Sequence, residues 1–524
     1  MKRPFAGTGT LLRLALRRDR VVVPVWVLMT ALIVVSMPGA LEGVYGTAAE
    51  RAGAAAAMNA NGSMRALYGP VFSDSPGALT AWRIGVFGAV LAAVMSMVVV
   101  IRHTREEEET GRQELLSSAV VGRRAPLTAA LLAALTANGL LALLITAGLA
   151  GQGAGGALAL GLAIAGTGML FATTAALAAQ LTESARAAKG ITAAVLGAAF
   201  LLRAAGDAGR AGGGSALTWA SPLGWLENVR AFAGERWWVL GLLAAAVAVQ
   251  GALAYALAGR RDVGMSFLPG RPGPAEGRMA SAGALAWRLQ RGGVAGWSAG
   301  FLLAGVVFGG MADGAADLVG ANDRTRRIVE RMGGQAGLTD AFLASIAGLL
   351  GLLASLYVVA SVLRLHGEES GQRAEWLLSA PVGRRTWAGG HLAVAFGGAV
   401  LVLGLGGLGL GIGHGRDLTA VAGAVLVQLP AVWVVGAVAV LLHGALPRYA
   451  TAAWAVAGAV LVLGWLGPAL DLPQAVLDVS PFAHLPKLPG AGGVSWSPAV
   501  LLTVLAAALT AAGLTALRRR DLTG

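Results

Sequence analysis

Residues 81–101 read AWRIGVFGAVLAAVMSMVVVI, and residues 341–363 read AFLASIAGLLGLLASLYVVASVL. A helix needs about 20 mostly apolar residues to cross the hydrocarbon core of a bilayer, and both stretches meet that length. Comparable stretches recur along the chain, so the sequence predicts an all-α polytopic membrane protein with about twelve transmembrane helices. The predicted spans are Val21–Met37, Ala81–Ile101, Ala125–Leu149, Gly156–Leu181, Gly190–Leu202, Trp238–Leu257, Val294–Met311, Ala341–Leu363, Trp387–Gly411, Thr419–Leu442, Thr451–Leu466 and Pro498–Leu517.

The composition of the 524-residue chain agrees with a membrane location. Apolar residues make up 56% of the chain, charged residues make up 13%, and the mean hydropathy is +0.69. A soluble protein carries roughly a quarter charged residues. The absence of cysteine excludes disulfides and thiolate metal sites, and the six histidines follow no metal-ligand spacing. We therefore expect no metal site and no catalytic residue.

The net charge of +13 reflects arginines in short loops between the apolar stretches. That placement sets the orientation of a membrane protein and does not indicate a nucleic-acid partner. With a cytoplasmic N-terminus, the arginine-rich loops 102–124 and 364–385 both face the cytoplasm, as does the C-terminus. The basic residues before the first span precede no convincing cleavage site, so a cleaved signal peptide is not predicted.

The sequence repeats itself, which indicates two related halves. Glu108-Glu109-Thr110-Gly111 matches Glu368-Glu369-Ser370-Gly371, followed by a one-residue length difference before Glu114 and Glu375. Each half ends in Arg-Arg-Asp, at 260–262 and 519–521. The predicted organisation is a first six-span half over 1–262, a cytoplasmic linker over 263–281 and a second half over 282–524. With six spans each, the halves would form a parallel repeat.

The repeated cytoplasmic loop predicts a short helix with acidic residues at its start and Gly-Arg-Arg at its end. This charge arrangement complements the helix dipole. Leu115 and Leu116, like Trp376 and Leu377, would form an apolar stripe on that helix. Such a helix could dock in a groove of a soluble partner or lie on the membrane surface. The glutamates favour a protein partner, because an anionic leaflet would repel them.

The predicted spans carry almost no ionisable residues, which argues against coupling to an ion gradient. The chain also has no GxxxxGK[ST] phosphate loop, so it is not expected to bind a nucleotide itself. The segments Leu217–Trp237 and Leu472–Pro498 mix Trp, Pro and apolar residues without a clean period. They predict either short re-entrant or interfacial helices or ordinary loops with an aromatic belt.

These loop motifs resemble those of ABC-2 type exporter permeases. The resemblance is nearest to the fused two-half, twelve-span branch, similar to actinobacterial exporters of tetronasin-type polyketide antibiotics. It implies an amphipathic surface helix at Gly9–Arg20 and Ala282–Arg291, and a coupling helix at Glu108–Arg124 and Glu368–Arg385. It also implies two copies of a separate ATP-binding subunit, which would bind ATP and Mg²⁺. The implied docking residues are Glu108, Glu109, Gly111, Glu114, Leu115, Leu116, Arg123, Arg124, Glu368, Glu369, Gly371, Glu375, Trp376, Leu377, Arg384 and Arg385.

The same resemblance implies that the second and fifth spans of each half line the substrate path. The candidate lining residues are Phe87, Met95, Met97, Phe200, Phe342, Tyr357, Trp454 and Trp465. The expected function is export of a hydrophobic compound across the bacterial cytoplasmic membrane, driven by the partner ATPase. The alternatives are a secondary multidrug transporter driven by an ion gradient and a membrane-embedded enzyme or scaffold. We find no catalytic constellation that would support the enzyme.

Overall fold

The computed structural model describes residues 4–113, 121–210, 212, 214–262, 264–268, 281–320, 337–466, 473–489 and 495–521, with side chains of 313–320 excluded. Within these ranges the chain is α-helical apart from turns and short 3-10 segments, and it contains no strand. The chain divides into two compact units, Met1–Pro272 and Gly273–Gly524. The division falls inside the segment 263–281 that the sequence predicts as the linker.

Unit 1 consists of long spans and short connecting helices. In chain order they are α1 (Thr8–Arg18), α2 (Val22–Glu42), α3 (Ala48–Ala60), α4 (Gly62–Tyr68), α5 (Pro76–Arg102), α6 (Arg105–Glu109), α7 (Ala125–Leu149), α8 (Ala154–Leu181), α9 (Ala185–Ala208), α10 (Ala216–Ala220), α11 (Pro222–Asn228) and α12 (Trp237–Arg260). The segment predicted over Leu217–Trp237 thus contains two short helices, α10 and α11.

Unit 2 has a similar succession of helices. They are α13 (Ala282–Gly320), α14 (Leu338–Val362), α15 (Arg364–Ser370), α16 (Arg373–Leu378), α17 (Arg384–His414), α18 (Leu418–Leu426), α19 (Leu429–Ala445), α20 (Ala453–Leu466), α21 (Gln474–Leu477) and α22 (Ser497–Arg519). Short 3-10 turns at Pro447–Ala452 and Pro481–His484 precede α20 and follow α21.

Twelve helical segments among the described residues are long and apolar enough to cross a membrane, which confirms the predicted number. The fifth, Ala185–Ala208, is longer than the predicted Gly190–Leu202. It starts at a cap, where the Ser184 side chain accepts a hydrogen bond from the Ala187 N–H. At its other end the helix continues beyond Leu202 and takes in two ionisable residues, Arg203 and Asp207.

The N-terminal surface helix is separate only in unit 1. There Asp19 caps the end of α1, and its carboxylate lies 2.6 Å from both Arg102 Nη1 and His103 Nε2. Burial raises the pKa of Asp19, but His103, Arg102 and Arg18 outweigh burial, so the pKa lies below its usual value. In unit 2 the predicted separate helix at Ala282–Arg291 is wrong, because α13 runs on without a break.

The unbroken helix α13 contains the neutral residue Gln290. By the constant offset of the sequence repeat, Gln290 stands where unit 1 has Asp19. Its amide nitrogen lies 3.0 Å from His391 Nδ1, and its carbonyl oxygen accepts a hydrogen bond from Ser361. The Gln290 side chain is therefore hydrogen-bonded in the middle of a continuous helix, whereas the Asp19 side chain binds its partners at the end of a helix.

Glycine allows the closest helix packing in unit 2. A Cβ atom on Gly409 or Gly413 of α17 would clash with the backbone carbonyls of Leu302 or Val306 of α13. Small residues at such positions let two helix backbones approach each other in a bilayer. The glycine-rich stretch in α17 therefore serves helix packing.

Candidate coupling region and binding cavity

The glutamate run of α6 contacts two neighbouring helices of unit 1, α1 and α9. Glu106 pairs with Lys189 of α9, and Glu107 pairs with Arg18 of α1. The Glu109 carboxylate accepts a hydrogen bond of 3.1 Å from the Ala185 N–H, at the start of α9. A negative charge at a helix N-terminus is favourable. The run is therefore used inside unit 1, which is a different role from the partner contact predicted for it.

Glu108 makes the most buried of these contacts. Its two carboxylate oxygens bind both terminal nitrogens of Arg261, at 2.6 and 2.7 Å, in a bidentate pair. Arg105 donates to the same carboxylate at 2.5 Å. Arg261 Nε donates to the Gln180 side-chain oxygen at 2.9 Å, which brings in α8. We call the group Arg105, Glu108, Gln180 and Arg261 the unit 1 clamp.

Unit 2 contains a corresponding clamp with two different members. Glu369 binds Arg520 through two contacts of 2.6 Å, and the Glu369 side chain is only 2% exposed. His443 Nε2 lies 3.5 Å from Glu369, and the His366 and His443 rings lie 6.0 Å apart, edge to face. We call the group His366, Glu369, His443 and Arg520 the unit 2 clamp.

The first arginine of each Gly-Arg-Arg completes the clamp through the backbone. Arg123 donates at 2.6 Å to the carbonyl oxygen of Arg261, and Arg384 donates to the carbonyl oxygen of Arg520. The loop motif and the Arg-Arg-Asp motif of each half therefore bind each other. The sequence shows both motifs, but nothing in it indicates that they are partners.

These contacts correct the predicted alignment of the two loops. Gly111 and Gln372 both adopt positive φ, at 72° and 55°. Glu107 lies 3.6 Å from Arg112, and Glu368 lies 2.9 Å from Arg373. Glu108 thus corresponds to Glu369, Gly111 corresponds to Gln372, and the predicted one-residue length difference is wrong. The sequence comparison matched Gly111 with Gly371 and not with Gln372, because a non-glycine residue rarely adopts a left-handed conformation.

The single coupling helix predicted over Glu368–Arg385 is also wrong. The structure has two short helices there, α15 and α16, separated by the turn at Gly371 and Gln372. Gly383 caps the next span, so Arg384 and Arg385 begin α17 and do not end the coupling helix. In unit 1, Arg124 likewise precedes α7. Glu114, Leu115 and Leu116 lie outside the described residues.

Part of the predicted docking surface is exposed. Trp376 of α16 is 84% exposed, and Glu375 beside it is exposed as well. Leu377 is partly buried and packs against the core of unit 2. Arg123, Arg124 and Arg385 are exposed, whereas Glu368 and Glu369 are buried. Of the predicted docking residues in unit 2, Trp376 presents the largest apolar side chain to the surroundings.

Unit 2 also contains a cavity of about 350 Å³. It lies between α14, the end of α20 and the segment from Gln474 to Lys487, with Gln428 from the break between α18 and α19. Trp465, Phe482 and Leu352 provide apolar lining. Lys487 provides a basic group, and burial lowers its pKa. This is the size and mixed lining expected of a small-molecule site.

Of the predicted path residues, the structure brings Trp465 to this cavity. Phe342 lies on the same span as part of the cavity lining, but it packs against the core. Tyr357 is buried and donates to the Val394 carbonyl at 3.1 Å, and Trp454 is exposed on α20. In unit 1 the predicted path residues pack against other side chains. Phe87 packs against Tyr68, Met95 and Phe200 belong to one apolar cluster, and Met97 packs against another.

Comparison with known proteins adds an independent finding. Residues 279–518 match the family described as multidrug efflux system permease Rv1217c, C-terminal domain. Over an alignment of 533 residues, the chain is 44% identical to the multidrug efflux system permease protein Rv1217c of Mycobacterium tuberculosis. The alignment covers 99% of this chain and 95% of that protein.

Proposed function

Since the chain belongs to the family of the multidrug efflux system permease Rv1217c, we propose that it is the permease subunit of an ATP-driven ABC-2 type exporter. In this proposal, two copies of a separate ATP-binding subunit supply the energy. The permease moves a hydrophobic compound, such as an antibiotic, another drug or a lipid-like molecule, out across the bacterial plasma membrane. ATP and Mg²⁺ bind to the partner subunit.

The observation that carries the proposal is the exposure of Trp376 on a firmly held helix. Helix α16 is anchored at its base, where Arg373 and Arg364 both lie 2.9 Å from the Glu368 carboxylate. An exposed tryptophan on such a support is typical of an anchor residue that fills a pocket on a partner protein. We expect the cytoplasmic face of unit 2 to present Trp376 to a groove of the ATP-binding subunit.

Ion pairs of the loop in unit 2, including the unit 2 clamp, connect the proposed docking helix α16 to the ends of the spans. Glu369 connects the loop to Arg520, which directly follows α22. Glu368 connects it to Arg364, the first residue of α15, two positions after the end of α14. A partner that moves α16 during its ATP cycle would therefore move the ends of two spans together. A loop without such ion pairs would absorb the same motion.

Replacing Trp376 tests the docking proposal. We expect Trp376→Ala to reduce co-purification of the ATP-binding subunit with the chain, with a loss of binding free energy of about 2 kcal/mol or more, as for other anchor residues. The matched control is Trp496→Ala, since Trp496 is also exposed, at 53%, but lies at the start of α22. Equal binding by the wild type and Trp376→Ala would contradict the assignment of α16 as the docking element.

The unit 2 cavity is the proposed binding site for the exported compound. Its aromatic and aliphatic walls suit an apolar molecule, while Gln428, Gln474 and Lys487 offer polar contacts. Such a site would hold compounds of different shape by apolar contact more than by specific hydrogen bonds. That property suits the efflux of several drugs.

A multidrug transporter driven by an ion gradient is the second candidate. It would need ionisable groups that bind and release a cation during transport. Asp207 and Glu227, both buried in unit 1, are the observation that favours it. The two candidates differ in their need for ATP, which a transport assay measures directly.

A further inference from the structure

One buried ionic cluster in unit 1 belongs neither to the clamp nor to the cavity. It joins Arg203 and Asp207 of α9 with Glu227 of α11. Arg203 Nη1 lies 2.6 Å from Glu227 Oε1 and 3.7 Å from Asp207 Oδ2. The side chains of Arg203 and Asp207 are fully buried, and that of Glu227 is 7% exposed. Two carboxyl groups thus share one arginine side chain in a site nearly closed to water.

The hydrogen bonds of the cluster leave two oxygens without a donor. Asp207 Oδ1 accepts a hydrogen bond of 2.8 Å from Thr218 Oγ1, and Glu227 Oε1 accepts one of 2.6 Å from Arg203 Nη1. Among the described residues, Asp207 Oδ2 and Glu227 Oε2 are buried and accept no hydrogen bond. The two carboxyl groups are close enough to hydrogen-bond each other. One proton on either carboxyl group would supply the missing donor.

The summed charge of the three side chains also favours one bound proton. Arg203 also donates to the Ala66 and Leu67 carbonyls of α4, at 2.8 and 3.0 Å. Arg65 of α4 donates to the Asp207 backbone carbonyl at 3.0 Å, and its positive charge opposes protonation of Asp207. With both carboxyl groups ionised, Arg203, Asp207 and Glu227 together carry a net negative charge. A single proton makes this group neutral, and a neutral group costs less to bury.

A small cavity lies beside the cluster. It has a volume of about 30 Å³ and is lined by Glu227, Tyr68 and Arg230, whose guanidinium lies over the Phe72 ring at 4.4 Å. Roughly 10–15 Å³ of such volume holds one water molecule, so the cavity has room for about two. Glu227 therefore adjoins a space through which a proton could exchange with water.

We propose that Asp207 and Glu227 form a proton-binding site, in which the two carboxyl groups share one proton at neutral pH and exchange it through the adjoining cavity. Desolvation raises the pKa of Glu227 well above the ordinary value, against the opposing effect of Arg203, and this direction agrees with the proposal. Arg203 holds the singly protonated pair in place, and Thr218 orients Asp207. The site belongs to unit 1 and is independent of the proposed docking surface.

Infrared spectroscopy of the purified full-length chain tests the site. We expect a carbonyl band of a buried, protonated carboxyl group at neutral pH, and we expect Glu227→Gln and Asp207→Asn each to remove it. The control Glu42→Gln changes an exposed carboxylate and should leave the band unchanged. A wild-type chain without a protonated carboxyl band at neutral pH would overturn the proposal, as would a band that survives in both variants.

The pH dependence of stability provides a second measurement. A carboxyl group whose pKa is raised in the folded state keeps its proton where the unfolded chain, with a pKa near 4.5 for Glu227, has released it. Stability should therefore decrease as the pH rises from that value to the folded-state pKa. Glu227→Gln should flatten this decrease, and an unchanged slope would contradict the proposal. Neither experiment requires a drug or ATP, so the result is separate from that of the proposed function.

Discussion

Arg261 and Arg520 occupy corresponding places in the two clamps, but their Nε atoms differ. Arg261 Nε donates to the Gln180 oxygen at 2.9 Å, whereas Arg520 Nε is buried without a hydrogen-bond partner among the described residues. His443, the member of the unit 2 clamp on α19, has neither ring nitrogen hydrogen-bonded among the described residues. A buried donor without an acceptor costs about 1–3 kcal/mol. The unit 2 clamp is therefore the less fully satisfied of the two.

Exchanging the partner residues Gln180 and His443 between the two clamps tests this difference in hydrogen bonding. We expect His443→Gln to raise the stability of the chain by about 0.5–1.5 kcal/mol, because the amide oxygen can accept from Arg520 Nε. The reciprocal change, Gln180→His, should lower stability by about 1–3 kcal/mol, because it leaves Arg261 Nε unpaired. Thermal unfolding of the detergent-solubilised chain measures both. A loss of stability in His443→Gln as large as that in Gln180→His would contradict the account.

At the residue scale, sequence reasoning found the right motifs and missed their partners. Both Glu-Glu motifs and both Arg-Arg-Asp motifs are visible as repeats, yet Glu108 and Arg261 are 153 positions apart. A pairing over that distance depends on how the helices pack, which a single sequence does not report. The resemblance implied that Glu108, Glu368 and Glu369 lie at a partner surface, but the structure buries their side chains. The arginines at the ends of the spans explain why they are buried.

The element that best illustrates the binding proposal is α14, which contributes Gly348 to the unit 2 cavity. A Cβ atom added at Gly348 would meet no heavy atom within 4 Å. A larger side chain there can extend into the cavity without displacing a neighbouring helix. The position therefore allows the cavity to be filled while the fold is kept.

We expect Gly348→Leu to weaken drug binding by about tenfold or more, which corresponds to about 1.4 kcal/mol. Thermal stability should stay the same or rise slightly, because leucine favours a helix more than glycine does. The matched control is Gly458→Leu in α20, where an added Cβ also meets nothing within 4 Å but does not line the cavity. Unchanged binding in Gly348→Leu, or an equal loss in Gly458→Leu, would show that the compound binds elsewhere.

At the element scale, the sequence predicts spans better than the helices between them. Each span is detected from about 20 adjacent residues, because hydropathy is a local property. The break between α15 and α16 depends on one residue, Gln372, in a left-handed conformation that its type does not indicate. The extension of α9 to Ala208 was missed because Arg203 interrupts the apolar run, although Glu227 neutralises it.

For the whole molecule, length and hydropathy were sufficient to predict an all-α protein with twelve candidate spans. The predicted division into halves remains consistent with the two compact units of the structure. The cavity and the buried carboxyl pair were not predicted, since each combines residues from separate helices. The apolar lining of the cavity could be found from the sequence only in part, through Trp465.

The central claim is that export by this chain is driven by ATP hydrolysis in a partner subunit. The most direct measurement is drug uptake into inverted proteoliposomes that contain the chain with its ATP-binding subunit, with ionophores present to abolish ion gradients. We predict that uptake starts on addition of ATP and Mg²⁺, persists with ionophores, and is lost when the ATP-binding subunit is left out. Uptake driven by a proton gradient in the absence of both ATP and the partner subunit would contradict the claim.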